Sequence, residues 1–210
     1  MTCRVVVLIS GRGSNLRAIV EAGLPIEIAA VVSNRPQAAG LDYARERGIT
    51  AIALDHTSLP DRAAFDARLA GEIERFNPDL VVLAGYMRIL SPAFIARFEG
   101  RLLNIHPSLL PMFPGLDTHT RALAEGVKVH GCTVHFVTDK LDHGPIIIQA
   151  AVPVRADDTP DTLAARVLAQ EHRIYPQAIR WFAEGRLVNN HGRVNLKGDP
   201  TSQSVLANGG

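Results

Sequence analysis

The stretch VVVLISGRGSNL, residues 5–16, decides how the chain begins to fold. Val5 to Ile9 form a continuous apolar run and read as a buried strand. Gly11 and Gly13 allow a tight turn after it, and Leu16, Ile19 and Val20 give the next segment an apolar face at helical spacing. Free N–H groups at the start of that helix attract an anion such as phosphate, and Ser14 and Asn15 add side-chain donors. The dinucleotide fingerprint needs a third glycine where Leu16 stands, and the second strand ends in Ser33-Asn34-Arg35 without an acidic residue. No Gly-Lys-Ser/Thr follows, so the nucleotide P-loop also fails. A phosphomonoester suits this loop better than NAD or ATP. On the loop alone, a ligand-free strand-to-helix turn reads equally well.

Working outward, IEIAAVVSN, TAIAL, PDLVVLAGY and RLLNIH read as four more strands. Between them come a helix near 38–47 that stops at Gly48, a helix over 61–76 with Phe65, Leu69 and Ile73 spaced by four, and a short helix begun by Ser91-Pro92. Strand and helix in alternation predict an α/β fold: a Rossmann-like, mostly parallel sheet with helices on both faces. The pattern then changes. After a helix over 118–126, CTVHFV and PIIIQAAVPV form an antiparallel pair joined by TDKLDHG, and a helix over 159–182 closes the fold. Residues 1–187 read as a single domain, and the Asn-, Gly- and Ser-rich residues 188–210 as a polar, flexible tail.

Composition narrows the function. The 210 residues are 47% hydrophobic and 20% charged, with a formal net charge of +1. That supports a sizeable core and marks the chain as neither a nucleic-acid nor a membrane binder. Cys3 and Cys132 make neither a disulfide framework nor a zinc site. The apolar run at 5–9 is too short for a membrane span and is no secretory signal, so a cytoplasmic protein, a monomer or homodimer, is expected.

A second cluster carries chemistry. In RLLNIHPSLLPMFPG, residues 101–115, strand alternation sends Asn104 and His106 to the same side. The turn LDHGP brings Asp142. In an open α/β sheet, ligands bind outside the carboxyl ends of the strands, where both this pair and the glycine loop lie. An amide donor for an oxyanion, an imidazole for a proton and a carboxylate to orient it make an acyl-transfer set. Ser108 has no evident base, which favours direct transfer over a covalent acyl-enzyme. Taken singly, a core histidine, a capping asparagine and a good turn explain the same residues. His119, His130 and His135 with Asp142 match no common zinc spacing, and no metal is expected.

Five segments in order, VVVLISGRGSNL, VVLAGYMRILSPAFI, RLLNIHPSLLPMFPG, GCTVHFVTDKLDHGPIIIQ and QEHRIYP, resemble the phosphoribosylglycinamide formyltransferase family. The resemblance runs from about Val5 to Leu187. It implies transfer of the formyl group of 10-formyltetrahydrofolate, a cosubstrate, to the amino group of N1-(5-phospho-D-ribosyl)glycinamide in purine synthesis, without metal. It places Asn104, His106 and Asp142 at the catalytic positions. Gly13, Ser14 and Asn15 match the phosphate loop, and Leu168, Ala169, Gln170 and Glu171 the ribonucleotide side. Arg62, Met87, Arg88, Ile89 and Leu90, together with Asn104, match the folate-binding positions. So do Thr138, Asp139, Lys140, Leu141 and Asp142, with His119 and His135 as supporting residues. The small molecules are the expected partners.

The chain departs from the family pattern at Arg12, a charged choice in the first loop, and at His143, where a second glycine is expected after Asp142. Asp117 stands where some relatives carry histidine. Methionyl-tRNA formyltransferase shares the Asn-x-His logic but needs a further, basic tRNA-binding domain. Formyltetrahydrofolate deformylase carries an N-terminal regulatory domain, and with the loop at residue 10 none is expected here. The alternatives are therefore a formyltetrahydrofolate hydrolase-like enzyme or a non-catalytic module that binds a phosphorylated nucleotide.

Overall fold

The computed structural model describes residues 2–198 and 203–207. It divides into two compact units, Met1–Asn104 and Ile105–Gly210. The first contains β1 (Cys3–Ile9), α1 (Ser14–Glu21), β2 (Ile26–Ser33), α2 (Ala39–Glu46), β3 (Ala51–Ala53), α3 (Arg62–Glu74), β4 (Leu80–Leu83), α4 (Pro92–Arg97) and most of β5 (Leu102–His106). Its strands pair in parallel in the order β5-β4-β1-β2-β3. Val5 to Ile9 are fully buried and Leu80 to Leu83 nearly so, which requires cover on both faces of the sheet. Among the described residues of this unit, a short 3-10 turn at His56–Ser58 is the one element absent from the sequence reading.

The strand order carries a functional consequence. The chain proceeds from β1 to β2 and β3 on one side, then crosses back to β4 and β5 on the other. The order reverses between β1 and β4, so the loops leaving their carboxyl ends part and open a crevice. Helix α3 buries Phe65, Leu69 and Ile73 as the spacing predicts. It also buries Asp66, whose Oδ2 accepts from the Ser91 N–H at 2.6 Å and so holds the start of α4.

The second unit contains α5 (Thr118–Ala124), β6 (Val129–Phe136), β7 (Ile146–Pro153), α6 (Pro160–Ala183), β8 (Leu187–Asn190), β9 (Arg193–Leu196) and β10 (Ser204–Leu206). Strands β6 and β7 are the expected antiparallel pair. Helix α6 starts with a reciprocal Thr159–Thr162 cap and Pro160, and packs on both strands.

The stretch expected as a polar, flexible tail holds strands among its described residues. Strands β8 and β9 form an antiparallel hairpin, and β10 pairs in parallel with β7. His191 and Gly192 have φ of 49° and 84°, the left-handed pair that a tight hairpin turn requires. Val194 and Leu196 are buried while Arg193 and Asn195 face out, an alternation that the polar composition masks. Residues 199–202 and 208–210 of that stretch lie outside the described residues.

Candidate functional site

In the first unit the glycine loop lies at the crevice between β1 and β4. Gly13 caps α1 in the left-handed region, φ 75°, and no side chain caps that helix start. A Cβ on Gly13 would stand 3.0 Å from the Gly40 Cα. The loop and α2 are also joined by the Gly40 N–H donating to the Gly11 carbonyl at 3.1 Å. Thus Gly13 meets two demands at once, a left-handed backbone and a close backbone neighbour. Ser10 closes the other side: its hydroxyl donates to Asn34 Oδ1 at 2.5 Å and accepts from the Met87 N–H at 2.8 Å. The result is a cavity of about 280 Å³ lined by Arg12, Gly13, Ser14, Asn15, Arg35 and Gly85, among others.

In the second unit His106 ends β5 and is almost fully buried. Its Nε2 lies 2.9 Å from the Phe113 carbonyl, which can only accept, so Nε2 carries a hydrogen. Its Nδ1 lies 3.5 Å from Asp142 Oδ2, and both side chains are less than a tenth exposed. A neutral ring with its hydrogen on Nε2 would turn the Nδ1 lone pair toward a carboxylate. An imidazolium would satisfy both contacts. Asp142 is itself fixed by the Gly115 N–H, which donates to Oδ2 at 2.8 Å.

The backbone around this pair is strained. Phe113, Asp117 and Asp142 have φ of 53°, 56° and 51°, a conformation that L side chains seldom adopt. At Phe113 the strain aims the carbonyl that fixes the His106 ring; at Asp142 it accompanies the turn that brings the carboxylate in. Ser108, fully buried, donates its hydroxyl to the Met112 carbonyl at 2.6 Å, and Thr118 donates to the Pro107 carbonyl at 2.7 Å. Ser108 is therefore a brace for the loop rather than a nucleophile.

Three more imidazoles stand near. Burial, then the charge of His106, holds His119 below the usual histidine range. Burial, then His119, pushes His130 down to about 4. Burial also lowers His135, whose Nδ1 lies 2.9 Å from the Phe136 carbonyl. The His119 and His130 rings meet edge to face at 5.3 Å. Burial thus favours the neutral form of each, and the carboxylate in contact with the His106 ring is that of Asp142. Among the described residues no group of three His, Cys, Asp or Glu side chains could hold a metal ion.

The remaining sequence candidates fall as follows. Asn104 is two residues before His106 on β5, on the same side by alternation. Gln170 and Glu171 are buried on α6, and Glu171 lies near enough to Cys132 to help push that thiol up. Leu168 is partly covered and Ala169 exposed. Arg62 is exposed at the first position of α3. Met87 and Ile89 are 62% and 58% exposed, Leu90 is buried, and the Arg88 guanidinium lies 4.8 Å from the Phe65 ring centre. In the second unit Thr138 is partly covered, Asp139, Lys140 and Leu141 are exposed, and the His143 N–H donates to the Lys140 carbonyl at 3.3 Å. Asp142 and His143 border a cavity of about 500 Å³. Sequence reasoning missed Phe113, Gly115 and Gly40, which act through backbone atoms or small size. The run PMFPG signalled a turn without showing which carbonyl it would present.

The comparisons agree on one family. The model of the formyl transferase family matches residues 3–179. A phosphoribosylglycinamide formyltransferase of Escherichia coli (strain K12) is 53% identical over 198 residues, covering 92% of this chain and 93% of the relative. The trifunctional purine biosynthetic protein adenosine-3 of Bos taurus is 46% identical over 91% of this chain, which matches 19% of that longer protein. The structure of glycinamide ribonucleotide transformylase 1 from Symbiobacterium toebii superposes with a TM-score of 0.90 at 53% identity, covering 93% of this chain and 94% of that one. Glycine loop, strand-end histidine and paired aspartate thus sit in a chain that belongs to the formyl transferase family.

Proposed function

We propose that the protein transfers the formyl group of 10-formyltetrahydrofolate to the amino group of N1-(5-phospho-D-ribosyl)glycinamide, giving the formylated ribonucleotide and tetrahydrofolate. The single observation that carries this reading is the His106 ring, fixed at Nε2 by a carbonyl and facing a buried carboxylate at Nδ1. The relatives' names supply the acceptor and the group transferred, and the resemblance of the motifs supplies the folate donor.

The amine attacks the formyl carbon. A C–N bond forms and the carbonyl electrons move onto oxygen. Asn104 and the His106 imidazolium stabilise that oxyanion. The attacking nitrogen loses a proton, directly or through water, with help from Asp142. The folate nitrogen gains a proton as its bond to carbon breaks. No covalent enzyme intermediate is needed, in keeping with the buried and engaged Ser108 hydroxyl. Gly13, Ser14 and Asn15 hold the phosphate at the start of α1, and Gln170 and Glu171, with Leu168 and Ala169, flank the ribonucleotide. Arg62 pairs with the carboxylates of the folate tail, while Met87, Arg88, Ile89 and Leu90 and the 138–142 loop contact its rings. His119 and His135 keep the surroundings of His106 uncharged.

The test mixes purified protein with 10-formyl-5,8-dideazafolate, with and without the ribonucleotide, and follows loss of the formyl group spectroscopically. Deformylation that requires the ribonucleotide is expected. Equal deformylation without it would replace the transferase by a hydrolase. Ribonucleotide binding with no loss of formyl would leave a binding module.

A further inference from the structure

The cavity after β1 carries two arginines, and their surroundings give them no work inside the fold. Arg12 and Arg35 both line it, from the glycine loop and from just past the end of β2. Both are exposed, and neither forms an ion pair with a carboxylate among the described residues. Arg4 pairs with Glu27, Arg45 with Asp42, Arg97 with Glu74 and Arg166 with Asp158, whereas Arg62 is also exposed and in no ion pair among the described residues; Arg12 and Arg35 are set apart by lining one cavity together. No Asp or Glu lines this cavity, and none lies in the first turn of α1. Two positive charges therefore face one small space with no counter-charge from its walls.

The backbones of both residues are fixed. The Arg35 N–H donates to Ser33 Oγ at 3.1 Å, and Ser33 Oγ donates back to the Arg35 carbonyl at 2.9 Å. Ser33 itself is fully buried. Arg12 stands between Gly11, whose carbonyl accepts from Gly40, and Gly13, packed on Gly40. Arg12 and Arg35 are thus anchored at the root and free at the tip. A guanidinium presents forked N–H donors that match phosphate oxygens.

We propose that Arg12 and Arg35 form a two-arginine clamp on the substrate's phosphate, adding charge to the N–H groups of the glycine loop and selecting a dianionic phosphomonoester. The proposal rests on the formyl-transfer reading for the identity of the phosphate's owner. The cavity and its charges stand independently of that reading.

The test compares wild type with Arg12→Ala, Arg35→Ala and Arg12→Lys, using the ribonucleotide and its dephosphorylated riboside as acceptors. Both alanine variants are expected to raise KM for the ribonucleotide about tenfold or more and to leave kcat within twofold. Arg12→Lys keeps the charge without the fork and should fall between. All variants should use the riboside as the wild type does, because it has nothing for the clamp to hold. Unchanged KM in both alanine variants, or equal losses with riboside and ribonucleotide, would overturn the clamp. Calorimetric titration with inorganic phosphate separates this outcome from failure of the formyl-transfer reading. Phosphate bound by wild type and lost in the double alanine variant supports the clamp even in a protein that transfers no formyl group. Phosphate bound equally by both overturns it.

Discussion

Replacing Asp142 by asparagine removes one charge and little else. Asn has nearly the same shape, keeps an oxygen to accept the Gly115 N–H now bound at 2.8 Å, and tolerates the left-handed φ of 51°. What it loses is attraction to a charged His106. At the observed 3.5 Å, two unit charges attract by about 5 kcal/mol for an effective dielectric constant of about 20. The cost of holding both groups away from water offsets part of this, leaving roughly 2–4 kcal/mol. If the imidazolium forms the transition-state contact, kcat falls by roughly 30- to 1,000-fold. The assay is ribonucleotide-dependent deformylation with both substrates saturating, beside a thermal melt. The melt establishes that the variant is folded at the assay temperature, as the kept hydrogen bond and backbone predict. A folded Asp142→Asn protein with kcat within threefold of wild type would refute the role given to the pair.

Gly13→Ala forces alanine into φ 75° at a cost of about 1–2 kcal/mol and pushes a methyl group against the Gly40 Cα. A melting temperature lower by about 2–8 °C and a raised KM for the ribonucleotide are expected; unchanged values in both would contradict the loop's role. Arg62→Ala should raise KM for the formyl folate roughly tenfold and leave that of the ribonucleotide alone, as initial-rate kinetics would show. The third expectation concerns pH. His130 is held down near 4 in the folded protein, below the unfolded value of about 6.5. Its contribution to stability is therefore complete above about pH 6.5 and is lost as pH falls toward 4, where the unfolded chain takes up a proton that the fold resists. Denaturant titrations of His130→Phe between pH 4 and 7 should show a flatter acid slope, by up to about 1.4 kcal/mol per pH unit. A slope identical to wild type would contradict this.

The parallel part of the fold was legible because each element announces itself locally. Val5 to Ile9 is apolar throughout, Phe65, Leu69 and Ile73 keep helical spacing, and Ser91-Pro92 is a helix start. The hairpin after Leu187 was not legible from composition, because two buried residues, Val194 and Leu196, carry its pattern among Asn, Arg and Gly. The candidate site divides the same way. His106 and Asp142 come together as the motifs imply. The groups that orient them are the Phe113 carbonyl and the Gly115 N–H, which every residue possesses and no sequence pattern marks. The left-handed turns at Phe113 and Asp142 are equally silent, since neither is a glycine.

The most direct test of the account is the turnover of His106→Ala with saturating formyl folate and ribonucleotide, on protein shown to be folded and to bind both. The account predicts a loss of about a thousandfold or more in kcat, with KM for the ribonucleotide little changed, because the ring acts on the oxyanion and not on the phosphate. Near-normal turnover in that variant would contradict it and move the chemistry away from the β5 terminus.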